Sequence, residues 1–312
     1  MDGKLVKLHF PGPVHFGQGR LTDGAYTCDA ATLFSALFIE ALHLGQQEAL
    51  LEAARSGVLT LSDAFPFRAD TFYLPKPLVE PVTPKATAEQ APDSREKKAN
   101  KKLDYISVAS YGAYLGGTFN ALAEYENLAR GGGFGSAYVQ TKVNLTRADG
   151  PDAKPYQVGG FHYAPDAGIY FLVQGGYELE PLLSQLQYSG LGGKRTSGYG
   201  RFSYTVEPVS ALGKELAIAP AGGRHMLLSS AAPWEEELTE DLLSGARYKL
   251  QRKGGFVQSA SHATTPQKKR DLYLFGPGSV FGKTFEGAVF DVNDTPGAHS
   301  VYRYARAMWL EV

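Results

Sequence analysis

The stretch SGLGGKRTSGYGRF, residues 189–202, concentrates the groups best suited to holding an anion. Gly190, Gly192 and Gly193 precede Lys194, Arg195, Thr196 and Ser197, and Gly198 and Gly200 flank Tyr199 ahead of Arg201. Glycine-apolar-glycine at both ends lets the backbone adopt positive φ and approach a ligand closely, and turns of this kind can aim several N–H groups at one point. Two cations and two hydroxyls lie between them. A plain hairpin turn would use the same residues, but the symmetry of the glycine pairs favours a phosphate cradle over what a lone GxGxxG would support.

Three other stretches invite chemistry. RYKLQRKGGF, residues 247–256, carries four cations and no acid. As a strand it puts Arg247, Lys249, Gln251 and Lys253 on one face to track a phosphate backbone, with Arg252 beside them and Phe256 placed to stack on a base. The bland reading is a charged strand edge. His15, in PGPVHFGQGR next to Arg20, could act as a general acid or base in metal-free RNA cleavage, or be an ordinary loop histidine. GPGSVFGKTF, residues 276–285, ends as nucleotide-binding loops do, but five residues rather than four separate Gly276 from Gly282 and a strand-like segment follows. Nucleotide binding there is not expected.

The seven histidines form no HxxxH or HExxH pair, and Cys28 is the single cysteine. No local metal site, cofactor site or catalytic constellation is expected. Cys28 reads as a small packing residue.

Elements must position these groups. KLVKLHF (4–10) alternates as a first strand. Residues 29–45 have helical periodicity, with Leu33, Leu37, Ala41 and Leu44 on one stripe, Asp29 or Thr32 to cap the start and Gly45 the end. GVLTLSDAF (57–65) reads as a strand, and residues 73–103, rich in Pro, Ala, Lys and Glu, as a long mobile insertion. SAYVQTKVNLTR (136–147) alternates Val139, Thr141, Val143 and Leu145 against Tyr138, Gln140, Lys142, Asn144 and Thr146, a strand half-buried through its valine face. Residues 168–175, 179–187 and 199–208 read as strand, helix and strand. The order up to Pro208 is β-α-β-β-α-β, the split pattern of ferredoxin-like and RNA-recognition domains. Beyond it lie a strand at 224–233, a helix at 234–245 and further strands, a more β-rich unit.

Bulk composition bounds the class. The 312 residues suit two modest domains, with 43% hydrophobic and 20% charged residues typical of a globular chain. No apolar run reaches the length of a membrane helix and the first residues lack a signal-peptide core, so a cytoplasmic protein with no membrane partner is expected. With 31 Lys and Arg against 32 Asp and Glu, any attraction for nucleic acid must be local.

The glycine run at a helix-to-strand junction resembles that of the RAMP superfamily of CRISPR-associated RNA-binding proteins. FPGPVHFGQG, TLFSALFIEAL, YLPKPL, YKLQRKGGFVQS and GSVFGKTFEGAVFDV, in this order from residue 10 to about 310, are together similar to the family of the fourth subunit of the type III-A effector, the Csm complex. The resemblance implies an α+β chain of two tandem ferredoxin-like (RNA-recognition-like) domains, the second degenerate. These span 1–208, with an insertion at about 75–110 and the glycine-rich loop at 190–200, and 209–312. It implies a non-catalytic subunit that holds the 5′ repeat-derived tag of the guide RNA in antiviral defence. Such a subunit bridges the large polymerase-like subunit to a backbone RAMP subunit and meets target RNA only indirectly. Carried over, Gly190 to Arg201 match the family loop, while His15 to Arg20, Lys142 with Asn144, and the strand holding Lys249, Arg252, Lys253 and Phe256 match as blocks. An endoribonuclease that trims guide precursors without metal is the alternative.

Overall fold

Alternation along β1 (Lys4–His9) sends Leu5 to one side and Val6 and Leu8 to the other, and all three are buried. A strand buried on both faces needs a layer on each side. The computed structural model of the chain describes residues 3–79, 94–143, 155–212, 223–257, 259, 262, 265, 267–294 and 297–312.

After the short paired strands β2 (Phe16–Gly17) and β3 (Gly24–Ala25), helix α1 (Ala30–Leu44) starts where Asp29 accepts the Thr32 N–H at 2.7 Å. It stops at Gly45, whose φ of 68° suits glycine. Leu33, Leu37 and Ala41 are buried as expected, but Leu44, beside the reversal, is exposed. A second helix, α2 (Gln47–Ser56), follows without a side-chain cap, which is why no start signal betrays it in the sequence.

Strands β4 (Thr60–Leu61), β5 (Phe65–Arg68) and β6 (Thr71–Pro75) come next. The expected mobile insertion at 73–103 is corrected at both described ends, because Tyr73–Pro75 complete the buried strand β6 and α3 (Ser94–Lys102) is a helix. Its Ala99, with Leu103, packs on Ala121, and Glu96 accepts N–H bonds from Ala121 and Leu122. Residues 80–93 lie outside the described residues. β7 (Tyr105–Ser107), α4 (Tyr111–Leu115) and α5 (Ala121–Arg130) lead to a long hairpin, β8 (Gly135–Val143) with β9 (Pro155–Tyr163). Then come β10 (Ala167–Gln174), α6 (Glu180–Ser189) and β11 (Ser203–Pro208).

The main antiparallel sheet has the order β11-β1-β10-β5-β6-β7, with β4 also on β10. On one face Val6, Leu8, Ile169 and Phe171 pack under α1 and α6 through Leu33, Leu37, Leu182 and Leu186. On the other, Leu5, Phe65, Tyr170 and Leu172 meet Met226, Leu228, Val280, Met308 and Leu310 from the end of the chain. Each such fully buried Leu or Phe contributes roughly 1.5–3 kcal/mol.

The C-terminal layer contains β12 (His225–Leu227), α7 (Glu240–Leu243), β13 (Leu250–Lys253), β14 (Leu272–Phe275), β15 (Val280–Phe281), β16 (Gly287–Asp291), β17 (Tyr302–Arg306) and β18 (Trp309–Glu311). Its sheets are β15-β12-β18, β13-β14 and β16-β17. The helix expected at 234–245 is corrected to one turn, because Glu237 folds back to accept the N–H groups of Trp234 and of Glu286 and Gly287, ending the periodic run as a turn.

Between β4 and β5 the strand breaks, and Asp63 occupies the break. Its carboxylate accepts the Ala30 N–H (2.9 Å) at the start of α1, and both the N–H and the hydroxyl of Ser230 (2.7 Å each). One buried acid thereby ties the main sheet to α1 and to the C-terminal layer.

Candidate nucleic-acid interface

The glycine run folds as read, between α6 and β11, and its glycines are required where they stand. Gly190, Gly192, Gly198 and Gly200 all have positive φ, and Lys194 adopts the left-handed region as well. A Cβ at Gly200 would sit 2.1 Å from the Leu191 carbonyl oxygen, so close approach of the loop's two ends forbids any side chain there.

The loop is clamped onto residues 13–16. Gly193 and Gly200 donate to the carbonyls of His15 (2.9 Å) and Pro13 (2.8 Å), while Val14 bridges Phe161 of β9. Farther along, Gly159 donates to Leu21 at 2.9 Å. Three segments distant in sequence therefore meet: the glycine loop, residues 13–22, and the β8–β9 hairpin. Arg20 lies exposed on the second of these.

These contacts correct part of the anion-cradle expectation. The N–H groups of Gly190, Leu191, Gly193, Ser197, Gly198, Tyr199 and Gly200 are all donated to protein carbonyls, so they are not available to phosphate. What the loop presents is its side chains together with the N–H groups of Gly192, Lys194, Arg195 and Thr196, which are not among those donated. Thr196 and Ser197 are exposed, Lys194 and Arg195 half-buried, and Arg201 exposed. Lys194 lies 5.2 Å from the Tyr156 ring centre.

Beside the loop opens a groove of about 510 Å³ lined by Pro13, Tyr138, Val139, Gln140, Lys142, His162, Ser197 and Tyr199. Tyr199 is corrected from a base-stacking candidate to a structural residue. It is 3% exposed, donates its hydroxyl to Gln140 at 3.1 Å and carries the Lys142 ammonium 4.5 Å from its ring centre. The more accessible ring is the half-buried Tyr138, stacked on His162 with centres 4.7 Å apart. Burial and the neighbouring Tyr199 hydroxyl push its phenol well above the ordinary tyrosine range, so it stays neutral. Among the described residues no carboxylate lines the groove, leaving a cation, the hydroxyl-bearing Tyr138, Ser197 and Tyr199, and the Tyr138–His162 aromatic pair, the groups that meet a single-stranded nucleic acid.

The hairpin also reverses the expected amphipathicity of β8. Val139 and Val143 are exposed, and the face of Tyr138 and Lys142 is the packed one, because β8 pairs only with β9 and its polar side leans on Tyr199. Asn144 lies outside the described residues. Tyr138, Gln140 and His162 were not singled out by the sequence reading. Their signal was Gly160, directly opposite Tyr138, where a Cβ would lie 2.7 Å from the ring, and it becomes legible only once the hairpin register is known.

His15 is buried and its ring donates from Nδ1 to the Gly159 carbonyl at 2.7 Å, so its packing role accounts for it. The basic stretch 247–256 does not join the groove residues. Lys253 forms a 2.8 Å ion pair with Asp29 at the start of α1, and Arg252 pairs with Asp271 at 2.6 Å. Lys249 and Phe256 remain exposed. The GPGSVFGKTF segment leads into no helix, and Lys283 pairs with Asp241. Cys28 is half-buried, and its desolvated thiol is pushed up. Among the described residues no cluster of three or more His, Cys, Asp or Glu side chains could hold a metal ion, and no helix is long and apolar enough to cross a membrane.

An antiparallel sheet with helices on one face, a glycine loop at its helix-to-strand junction and a basic, aromatic groove beside that loop are consistent with a RAMP-type fold. A family model described as the CRISPR Csm4 C-terminal domain matches residues 221–312. The "CRISPR system Cms protein Csm4" of Mycobacterium tuberculosis is 36% identical over 99% of this chain and 98% of its own, and that of Streptococcus thermophilus is 34% identical over 100% and 99%. The chain belongs to the Csm4 family. Its fold is similar to that of a chain in a Csm3–Csm4 subcomplex of a type III-A CRISPR-Cas interference complex (TM-score 0.65, 17% identity, covering 100% of this chain and 99% of the other). It is also similar to one in a Csm1–Csm4 cassette in complex with pppApA (TM-score 0.62, 20% identity, covering 100% and 98%).

Proposed function

We propose that this chain is a non-catalytic RNA-binding subunit of a type III-A CRISPR effector, the Csm complex, holding the 5′ repeat-derived tag of the guide RNA. The carrying observation is the groove in which Lys142, Ser197, Tyr138 and His162 converge beside the glycine loop with no acid among them. Phosphates meet Lys142, Lys194, Arg195, Arg201 and Arg20, and splayed bases meet Tyr138 and, outside the groove, Phe256. Each stack contributes about 1–3 kcal/mol.

Relatives described as a Csm1–Csm4 cassette and a Csm3–Csm4 subcomplex support the two protein partners, the large subunit and a backbone subunit. The strand order β11-β1-β10-β5 with α1 and α6 on one face supports a ferredoxin-like first unit. We read residues 209–312 as a degenerate second unit, docked on the first through a shared core. The endoribonuclease alternative is disfavoured by the burial of His15 and its bond to Gly159.

The test is titration of the purified chain with single-stranded repeat RNA across salt concentrations. Neutralising about five phosphates gives a slope of log affinity on log salt near −3.5, about 0.7 per phosphate. A flat dependence, or specific cleavage in EDTA that His15→Ala abolishes, overturns the reading.

A further inference from the structure

Gln140 lies midway along β8, on the same side of the strand as Tyr138 and Lys142, because side chains two residues apart share a face. It is exposed and lines the groove. A buried neighbour orients its amide: the hydroxyl of Tyr199, a residue 3% exposed, donates to its Oε1 at 3.1 Å. Tyr138 keeps its own phenol proton with the Tyr199 hydroxyl as hydrogen-bond partner, so Tyr138 donates to Tyr199 and the Tyr199 proton runs on to Gln140. The relay ends on the amide oxygen. What Gln140 has left for a ligand is its NH2 group, which carries two donors and makes no hydrogen bond to any described residue.

Lys142, the next residue on that face, holds its ammonium 4.5 Å from the centre of the same Tyr199 ring and also offers only donors. Its three donors can serve a phosphate and a base edge together. Ser197 and His162 can donate or accept, so they do not discriminate. Tyr138 stacks on His162 and rests over Gly160, where a Cβ would lie 2.7 Å from the ring, which gives the groove an aromatic shelf beside the two donor groups. A glutamine whose amide has both ends free matches adenine, giving an N–H to N7 and taking the N6 amino group on its oxygen. With that oxygen occupied, the adenine amino group meets a second donor and no acceptor. Guanine instead sets two acceptors, O6 and N7, side by side.

We propose that the Tyr199–Gln140 bond makes the groove selective for a splayed guanine over adenine, with the base on the Tyr138–His162 shelf and its O6 and N7 edge facing Gln140 Nε2 and Lys142 Nζ. This inference rests on the RNA-binding reading of the groove and adds the base that the groove reads. Cytosine offers the same pair of acceptors at O2 and N3, with a smaller ring to stack, and is the second probe.

The experiment measures the affinity of the full chain, at one salt concentration, for a short oligoadenylate and for the same oligomer carrying one central guanine, 7-deazaguanine or cytosine. Guanine is expected to raise affinity about fivefold over adenine, the low end for a specific base-edge contact, and 7-deazaguanine, which lacks the N7 acceptor, to lose most of that gain. Gln140→Leu is expected to lose the greater part of the preference. Tyr199→Phe, which frees the amide oxygen, is expected to close the gap from the other side, by raising affinity for the oligoadenylate. A merely structural loss does not raise an affinity. Equal affinities for every oligomer, with the salt slope of an RNA binder intact, overturn this inference and leave the RNA-binding reading standing. No binding of any oligomer at low salt overturns that reading and this one with it. A guanine preference undiminished in Gln140→Leu, or a Tyr199→Phe variant with no gain for adenine, also overturns the inference, and tighter binding of cytosine than of guanine overturns the choice of base.

Discussion

The glycine loop and the basic strand at 247–256 look alike in sequence, and the fold treats them differently. Around the glycine loop, the described residues that line the groove from residues 13–22 and from the hairpin add a lysine, aromatics and a hydroxyl, but no acid. Around β13, the segments brought in supply Asp29 and Asp271, which take up Lys253 and Arg252. A run of cations is a binding surface only when the elements that fold against it are not acidic. The density of charge along the chain does not decide this; the partners across space do.

That contrast is sharpened most by Lys253→Ala. Removing the lysine leaves the largely buried Asp29 with no cation, only the Thr32 N–H, and with the two side chains 27% and 14% exposed the expected loss of stability is about 3 kcal/mol at most, the low end of the cost of breaking a buried pair. Urea denaturation measures it. A loss of RNA affinity with unchanged stability would instead make Lys253 a phosphate ligand.

Next in size is a pH effect from the same anchor. Burial and the charge of Asp29 raise the Asp63 carboxyl to about 6, even though Ala30 and Ser230 donate to it. The folded state therefore holds that proton more tightly than the unfolded chain does. Stability from this group is full below about pH 4 and lost as pH rises toward 6, by roughly 3 kcal/mol for two pKa units. Asp29, held low by Lys253, works in the opposite sense and weakens the fold as pH falls below about 4. Asp63→Asn can keep all three hydrogen bonds, accepting both N–H groups at one atom and donating to the Ser230 hydroxyl with the other. Denaturation midpoints from pH 4 to 7 should lose their decline in this variant; an unchanged profile removes Asp63 as the cause.

In the groove, Tyr199→Phe deletes the bond to Gln140 and should cost about 1 kcal/mol of stability, with binding of guanine-bearing RNA little changed because the ring that carries Lys142 is kept. Stronger effects of Tyr199→Phe than of Tyr138→Ala on RNA affinity would reverse the roles assigned to the two rings. The smallest effect is expected for Arg252→Ala. Its pair with Asp271 is 65% exposed on the arginine side, so less than about 1 kcal/mol is at stake, read as a near-unchanged melting temperature.

Much of the first half was legible because its elements announce themselves locally. Asp29 and Gly45 bracket α1 at the cap positions expected of them, and the apolar run in β10 is buried along its length. The site was legible in part, as the glycine loop with Lys194, Arg195 and Lys142. Its other half was hidden because Tyr138, His162 and Pro13 come together only through the hairpin register and the clamp of Gly193 and Gly200 on residues 13–15. The same limit hid the uses of Lys253 and Tyr199, whose partners, Asp29 and Gln140, are remote in sequence.

The amino-acid order by itself determined where the chain must turn with positive φ, which residues cap α1, which strand is apolar throughout, and the family to which the chain belongs. These follow from backbone sterics, hydrogen-bond chemistry and periodicity over a few neighbours. Only the tertiary structure decided which cations are taken up by acids, that most of the glycine loop's amides are spent on protein carbonyls, and that the valine face of β8 points outward. Each of those outcomes depends on which charge or carbonyl arrives from a distant segment, and electrostatic compensation and hydrogen-bond satisfaction act across space.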